Sequence, residues 1–205
     1  MTLMKKLTPF AAIAAALGLT LTLMAANQQA AESAKAKVGQ KAPAFSLTDH
    51  NGNQVSLADH AGKIVVLEWF SEECPVVQRH YEADTMNKTF DKYKDKDVVW
   101  LAVNSSSGNK AETNKKSAER WSIERPILGD ADGKVGKMYG AKTTPHMFVI
   151  DKQGVLVYAG AIDDDMSGRK GDKAVNYVAK ALDELLAGES VSTAETRPYG
   201  CGVKY

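Results

Sequence analysis

The two cysteines of this 205-residue chain, Cys74 and Cys201, are the side chains best suited to chemistry. Two cysteines are too few for a disulfide-rich scaffold or a four-cysteine zinc site, but they suffice for one disulfide or one redox pair. Cys74 follows the apolar run 64–70 and precedes Pro75 and an amphipathic segment, so a buried strand gives way to a helix there. A helix N-terminus stabilises a thiolate through its dipole and its unpaired N–H groups. This position is typical of a nucleophile, although a buried cysteine that only packs is also consistent with it.

Further residues could complete a site around Cys74. Ser71 lies three positions before it. Thr144 and Pro145 directly precede an apolar strand, and a cis bond between them would place a backbone edge against the cysteine's loop. Cys201 lies between two glycines in a polar C-terminal segment. These residues are therefore candidates for one common site.

The elements that must position these residues follow from hydrophobic periodicity. Residues 64–70 and 98–103 are nearly continuous apolar runs, which predicts two strands buried on both faces and parallel to each other. The other predicted elements are a hairpin of residues 44–47 and 54–57, helices at 75–94, 109–121, 134–139 and 175–186, and strands at 127–128, 147–150 and 155–158. This order predicts an α/β domain with one mixed central sheet flanked by helices on both faces.

The ends of the chain differ in composition from this domain. Residues 1–26 are predicted to be a secretory signal peptide, because Lys5 and Lys6 precede a long apolar stretch that small residues follow. An uncleaved signal that anchors the chain in a membrane is the alternative. The remaining chain divides into a flexible linker at 27–37, the folded domain at 38–188 and a loose tail carrying Cys201 at 189–205. Export to an oxidising compartment such as the periplasm would permit a disulfide.

The charge balance of the chain indicates which classes of partner it can bind. The chain has 26 basic and 25 acidic side chains, a formal charge of +1, which indicates no nucleic-acid partner. No motif in the sequence indicates a cofactor, and nothing in it indicates an oligomeric state.

Residues 38–186 resemble the thioredoxin-like superfamily, whose members carry a buried strand, an aromatic residue, a C-x-x-C turn, a helix and a later Thr-Pro before a strand. Within it, the segment 69–77 is similar to the peroxiredoxin and redoxin branch, the alkyl hydroperoxide reductase and thiol-specific antioxidant group. The motif of that branch has Thr or Ser three residues before a peroxidatic cysteine and Pro directly after, which Ser71, Cys74 and Pro75 match. Residues 104–140 and 143–151 also resemble exported thioredoxin-like reductases.

The chain departs from these patterns at three places. In the thioredoxin-like C-x-x-C turn the first cysteine is replaced by Ser71, so the turn alone cannot exchange a dithiol. Peroxiredoxins carry a proline seven residues before the cysteine, where this chain has Leu67. They also carry an arginine on a later strand, and residues 155–158 contain none. Arg79 is a candidate substitute, but a solvated or salt-bridged arginine fits it equally well.

The resemblance implies an exported thiol oxidoreductase. Cys74 would attack a peroxide or a substrate disulfide, Cys201 would resolve the product into an internal disulfide, and an external thiol reductant would reopen it. Ser71 would donate a hydrogen bond to the thiolate or the peroxide, and Thr144 with Pro145 would line the pocket. A permanent disulfide between the two cysteines is the alternative.

Two other functions stay open. Cys74, His80 and His146 are ligand types suited to copper, which would make the chain a thioredoxin-like metal chaperone. The fold could also serve as a redox-inert binding module. Glu68 lies inside an apolar run, so it is either a proton-handling group near Cys74 or a side chain that points out at the strand's end.

Overall fold

The structure is a computed structural model that describes residues 35–205. The predicted signal peptide at 1–26 and most of the predicted linker at 27–37 lie outside the described residues. The compact unit spans Lys35–Tyr205. Near its start the amide of Ala36 donates to the Met138 carbonyl at 2.9 Å, so the last linker residues contact the domain. Within 35–205 no helix is long and apolar enough to cross a membrane.

A seven-stranded mixed sheet forms the centre of the domain, with strand order β2-β1-β5-β4-β3-β7-β8. A separate two-stranded sheet pairs β6 with β9. The strands are β1 Ser46–Asp49, β2 Gln54–Ser56, β3 Ile64–Trp69, β4 Val98–Asn104, β5 Ile127–Gly129, β6 Thr143–Thr144, β7 His146–Ile150, β8 Leu156–Gly160 and β9 Cys201–Gly202. The predicted hairpin, the two long strands and the short strands are thus all present.

Strand β3 is the interior strand that leads to the site. All six of its residues are buried, and it pairs in parallel with β4 and antiparallel with β7. Its side chains alternate between two apolar cores, with Val66 in one and Leu67 in the other. Helices cover both of these faces, which confirms the predicted mixed sheet flanked on both sides.

Within residues 35–205, five α-helices cover the sheet: α1 Pro75–Glu82, α2 Thr85–Tyr93, α3 Ala111–Arg120, α4 Lys134–Tyr139 and α5 Tyr177–Leu186. The prediction of one helix over 75–94 is wrong, because two helices occupy this stretch. Asp84 separates them in the left-handed conformation, with a φ of 60°. The apolar spacing continues across the break because α1 buries Tyr81 and α2 buries Met86 in the same core.

The segment 189–205 is not loose, contrary to the prediction. It runs along the edge strand β8, where Ala159 donates to the Ala194 carbonyl at 3.0 Å and accepts from the Thr196 amide at 3.1 Å. An edge strand offers unpaired backbone groups, which a following segment can satisfy. Farther on, the Tyr205 hydroxyl donates to the Ala141 carbonyl at 2.8 Å. The segment is therefore held at several points along its length.

Candidate thiol site

Cys74 caps the N-terminus of α1. It has extended backbone angles, Pro75 takes the first helical position, and the side chain is 2% exposed. Its sulfur donates a hydrogen bond to the Thr144 carbonyl at 2.8 Å. The strand β3 and the helix α1 thus hold the thiol against the loop before β7, as the sequence predicts.

The Thr144–Pro145 peptide bond is cis. Thr144 belongs to β6 and lies opposite Cys201 in the antiparallel pair of β6 with β9. Gly200 makes this pairing possible, because a Cβ atom at that position would collide with the Thr144 carbonyl. Its φ of 137° also lies in a region that side chains rarely adopt.

The β6–β9 pairing brings the two thiols together. Both cysteines are free and share Thr144 as a neighbour: its carbonyl accepts from the Cys74 thiol at 2.8 Å, and Cys201 lies opposite it on β9. Sequence separation gives no hint of this contact, since 126 residues lie between positions 74 and 201. The predicted pair is therefore assembled in the reduced, folded protein.

The surroundings shift the pKa values of the two thiols in opposite directions. Burial raises the pKa of the Cys74 thiol, but hydrogen bonds with the Thr144 side chain and with Cys201 oppose this. Together with the backbone N–H of Val77 in the first turn of α1, they bring the Cys74 pKa below its ordinary value. For Cys201, the interaction with the Cys74 side chain raises the pKa of the thiol, and burial raises it further. The Cys74 thiol thus ionises more readily than the Cys201 thiol.

Ser71 contacts Cys74 through the backbone. Its carbonyl accepts from the Cys74 amide at 3.2 Å, whereas its hydroxyl accepts from Ser106 Oγ at 3.4 Å. A hydrogen bond from the Ser71 hydroxyl to a Cys74 thiolate or to a peroxide therefore stays a prediction. Three positions after Cys74 the residue is Val77, so Cys74 is the only thiol between positions 71 and 77.

Arg79 does not serve the thiol in this structure. Its guanidinium donates to the carbonyls of Met166 at 3.0 Å and Asp165 at 3.1 Å, so it braces the loop after β8.

Glu68 does not lie at the surface. It is fully buried and forms an ion pair with Arg125 at 3.0 Å. It also accepts hydrogen bonds from the Tyr81 hydroxyl at 2.8 Å and from Trp100 Nε1 at 2.9 Å. The interpretation that Glu68 points out at the strand's end is therefore wrong, because the buried carboxylate pairs with a cation 57 positions along the chain, and a proton-handling role stays a prediction.

His80 and His146, the two histidines of the predicted copper site, each contact a different protein group. His146 Nδ1 accepts from the Lys142 amide at 3.2 Å, and burial with help from the Lys142 charge lowers the pKa of His146 to about 4. His80 Nε2 lies 3.1 Å from the Tyr199 hydroxyl. Among residues 35–205 no group of three His, Cys, Asp or Glu side chains could hold a metal ion. Cys74, His80 and His146 therefore do not assemble into the copper site of the alternative interpretation.

Comparison with known proteins decides the family. The model described as AhpC/TSA family matches residues 38–159. The chain belongs to this family.

Relatives of the AhpC/TSA chain carry thiol-disulfide names. A protein named thiol-disulfide oxidoreductase ResA from Geobacillus kaustophilus is 36% identical over 123 residues, covering 60% of this chain and 68% of that protein. The solved structure of an uncharacterized conserved protein from the same species superposes with a TM-score of 0.74 at 30% identity, over 82% of this chain and 92% of that one. The thioredoxin domain of a thiol-disulfide oxidoreductase from Bacteroides vulgatus superposes with a TM-score of 0.53 at 28% identity, over 60% and 87% of the two chains. These similarities confirm the thioredoxin-like fold and support oxidoreductase chemistry at a thiol.

Sequence reasoning missed the residues that hold the tail of this AhpC/TSA family member in place. Lys204 forms an ion pair with Glu73, one residue before Cys74, at 2.6 Å. Tyr199 is 8% exposed and hydrogen-bonds to Asp163 and to His80. The available signal was an aromatic residue two positions before a cysteine in an otherwise polar segment.

Proposed function

We propose that the protein is an exported thiol-disulfide oxidoreductase in which Cys74 attacks and Cys201 resolves. The observation that carries this proposal is that both cysteines meet at Thr144, whose carbonyl accepts from the Cys74 thiol at 2.8 Å and which the β6–β9 pairing sets opposite Cys201. Cys74 has the lower pKa and sits at the helix N-terminus, so it supplies the attacking thiolate.

The reaction takes two exchange steps. The Cys74 thiolate attacks one sulfur of a substrate disulfide, forming a mixed disulfide and releasing the other sulfur as a thiolate. The Cys201 thiolate then attacks the Cys74 sulfur, closing the Cys74–Cys201 disulfide and releasing the second substrate thiolate. The substrate is reduced by two electrons and the protein is oxidised by two, while the protons of the two protein thiols pass to the products. An external thiol reductant would reopen the internal disulfide.

A disulfide substrate is favoured over a peroxide by the groups around the thiol. Peroxide cleavage needs a donor that stabilises the departing oxygen, and Arg79, the cationic candidate from the sequence, binds the loop after β8 instead. The relatives named thiol-disulfide oxidoreductases support the same preference.

The test compares the wild type with Cys74→Ser and Cys201→Ser. Reduced protein is mixed with oxidised glutathione or, separately, with hydrogen peroxide, and the products are identified by mass spectrometry after acid quenching. With glutathione disulfide we expect an internal disulfide in the wild type, a stable glutathione adduct in Cys201→Ser and no reaction in Cys74→Ser. Reaction with peroxide at a rate far above that with the disulfide would overturn the choice of substrate. An unreactive wild type would overturn the proposal.

Export is the second part of the proposal, and its support is the sequence of residues 1–26 alone. Cell fractionation with N-terminal sequencing of the recovered protein tests it. We expect the chain outside the cytoplasm and beginning after residue 26 or close to it. A full-length chain in the cytoplasmic fraction would contradict export, and a full-length chain in the membrane fraction would indicate an uncleaved anchor.

A further inference from the structure

A buried polar cluster lies upstream of Cys201. Tyr199, two residues before this cysteine, inserts its hydroxyl between Asp163 and His80. Asp163 follows β8 and is 5% exposed, and His80 lies on α1 and is 3% exposed. The cluster therefore joins the tail to the helix that begins at Cys74.

The direction of the hydrogen bonds follows from the number of protons available. The Tyr199 hydroxyl has one proton, which it donates to Asp163 Oδ1. His80 Nε2 must then donate to the Tyr199 oxygen at 3.1 Å, which a neutral imidazole protonated on Nε2 can do. Nδ1 of the same ring faces Asp163 Oδ2 at 4.0 Å. The one polar atom of the Tyr199 side chain, its hydroxyl oxygen, is thus matched to two buried partners, His80 on α1 and Asp163 after β8.

The attachments on the other side of Cys201 are weaker. Lys204 and Glu73 form an ion pair, but both side chains are about two thirds exposed, and such pairs contribute little. The Ser107 amide donates to the Lys204 carbonyl at 2.7 Å, a backbone contact that fixes no side chain. The Tyr199 hydroxyl therefore makes the most deeply buried side-chain hydrogen bonds within four residues of Cys201, deeper than the part-buried bond of Tyr205.

We propose that Tyr199 is a positioning residue that holds Cys201 within reach of Cys74, with His80 and Asp163 as its receptor. The proposal rests on the proposed function, because it assigns Tyr199 to the resolving step. Helix α1 carries both the nucleophile and His80, so the receptor and the target sulfur belong to one rigid element. Gly200 links the anchor to Cys201 directly beside the Thr144 carbonyl.

The two exchange steps would respond differently to losing this anchor. Attack by Cys74 on an external disulfide does not use the tail, and a freer tail would uncover a thiol that is only 2% exposed. Resolution requires Cys201 to meet the Cys74 sulfur in line, so it depends on how often the tail is docked. Loss of a hydrogen bond to a charged group predicts that resolution slows by about 10-fold or more.

The experiment follows both steps in Tyr199→Phe, which keeps the ring but removes the hydroxyl. Reduced protein reacts with oxidised glutathione, and quenched samples are resolved by mass spectrometry into free, glutathionylated and internally oxidised forms. We expect attack at or above the wild-type rate and a glutathionylated intermediate that accumulates. His80→Leu removes the hydrogen bond between His80 and Tyr199 from the other partner, and it should also slow resolution.

Tyr93→Phe is the matched control. Tyr93 is also a buried tyrosine, with its hydroxyl hydrogen-bonded to Asp183 and the Ala179 carbonyl, but it lies on α2 away from the tail. It should leave both steps at the wild-type rate. Wild-type resolution in both Tyr199→Phe and His80→Leu would overturn the positioning role while leaving the two-cysteine function intact. If the wild type itself forms no internal disulfide, the proposed function fails instead.

Discussion

The two cysteines have the same side chain but different surroundings, and this difference supports the roles proposed for them. The Cys74 sulfur lies at a helix N-terminus, where a backbone N–H and the Thr144 side chain favour its thiolate. Cys201 lies on a two-residue strand, where its neighbour Cys74 disfavours a second negative charge. When the pair loses its first proton, the charge therefore rests mainly on Cys74.

This asymmetry predicts the order in which the thiols react. A lowered pKa gives a larger thiolate fraction at a given pH, so Cys74 should become alkylated at a lower pH than Cys201. Iodoacetamide labelling of the reduced protein between about pH 5 and pH 10, read by peptide mass spectrometry, measures both midpoints. In urea both cysteines should label with a midpoint of about 8.5. If Cys201 labels first in the folded protein, the assigned roles are reversed.

At the scale of elements, the tail is part of the site. The pairing of β6 with β9 sets Thr144 opposite Cys201 and Thr143 opposite Gly202. The glycines on either side of Cys201 differ in whether a side chain would fit at their positions. Gly200 is pressed against the Thr144 carbonyl, whereas a Cβ atom on Gly202 would meet open space.

The two glycines therefore supply a matched pair of variants. Gly200→Ala should push β9 away from the loop before β7 and slow formation of the Cys74–Cys201 disulfide by at least 10-fold, a loss of about 1.4 kcal/mol. Gly202→Ala adds the same methyl group one residue beyond Cys201 and should close the disulfide at the wild-type rate. The measurement is the loss of free thiols after addition of oxidised glutathione. Equal rates in the two variants would show that close approach at Gly200 is not required.

Some elements of this fold could be predicted from the sequence and others could not. Apolar runs located β3 and β4, and the Thr-Pro pair located the loop that contacts Cys74, because these signals are local. The helix break at Asp84 could not be predicted from the apolar spacing. Helices α1 and α2 bury residues in the same core, so the spacing continues across the break. The docking of residues 189–205 depends on partners on β6 and β8 that are distant in sequence, so composition alone suggested a loose tail.

At the scale of the whole molecule, a buried ion pair links separate parts of the domain. Glu68 on β3 pairs with Arg125 before β5, and the Tyr81 hydroxyl from α1 contacts both. The Arg125 guanidinium also lies over the rings of Tyr81 and Trp100. The pair therefore ties the helix that presents the nucleophile to two strands of the sheet.

Breaking this pair should destabilise the whole fold. Arg125→Met leaves the Glu68 carboxylate buried without its cation, which costs about 3–5 kcal/mol in comparable sites. Urea unfolding followed by circular dichroism measures the change in free energy of unfolding. Arg120→Met is the control, because this exposed arginine only stacks over Trp121 and should cost at most about 1 kcal/mol. Similar losses in both variants would contradict a special role for the buried pair.

The Cys74–Cys201 disulfide would act on the whole molecule as well, since it would close a loop spanning most of the domain. For a loop of more than 100 residues, the lost entropy of the unfolded chain stabilises the folded protein by about 4–5 kcal/mol. Thermodynamic linkage then makes the disulfide harder to reduce in the folded chain than in the unfolded one, by roughly 100 mV for a two-electron couple. Stabilisation of the Cys74 thiolate opposes this shift, because it favours the reduced form.

The balance between these two effects decides in which direction the protein moves electrons. Because loop closure is worth several kcal/mol, we expect the oxidised protein to unfold at a higher urea concentration than the reduced protein. A more stable oxidised form makes the reduced protein a donor of electrons to substrate disulfides. In Cys201→Ser the urea midpoint should not depend on oxidant. A reduced form more stable than the oxidised form would mean that thiolate stabilisation prevails and that the protein instead inserts disulfides into its partners.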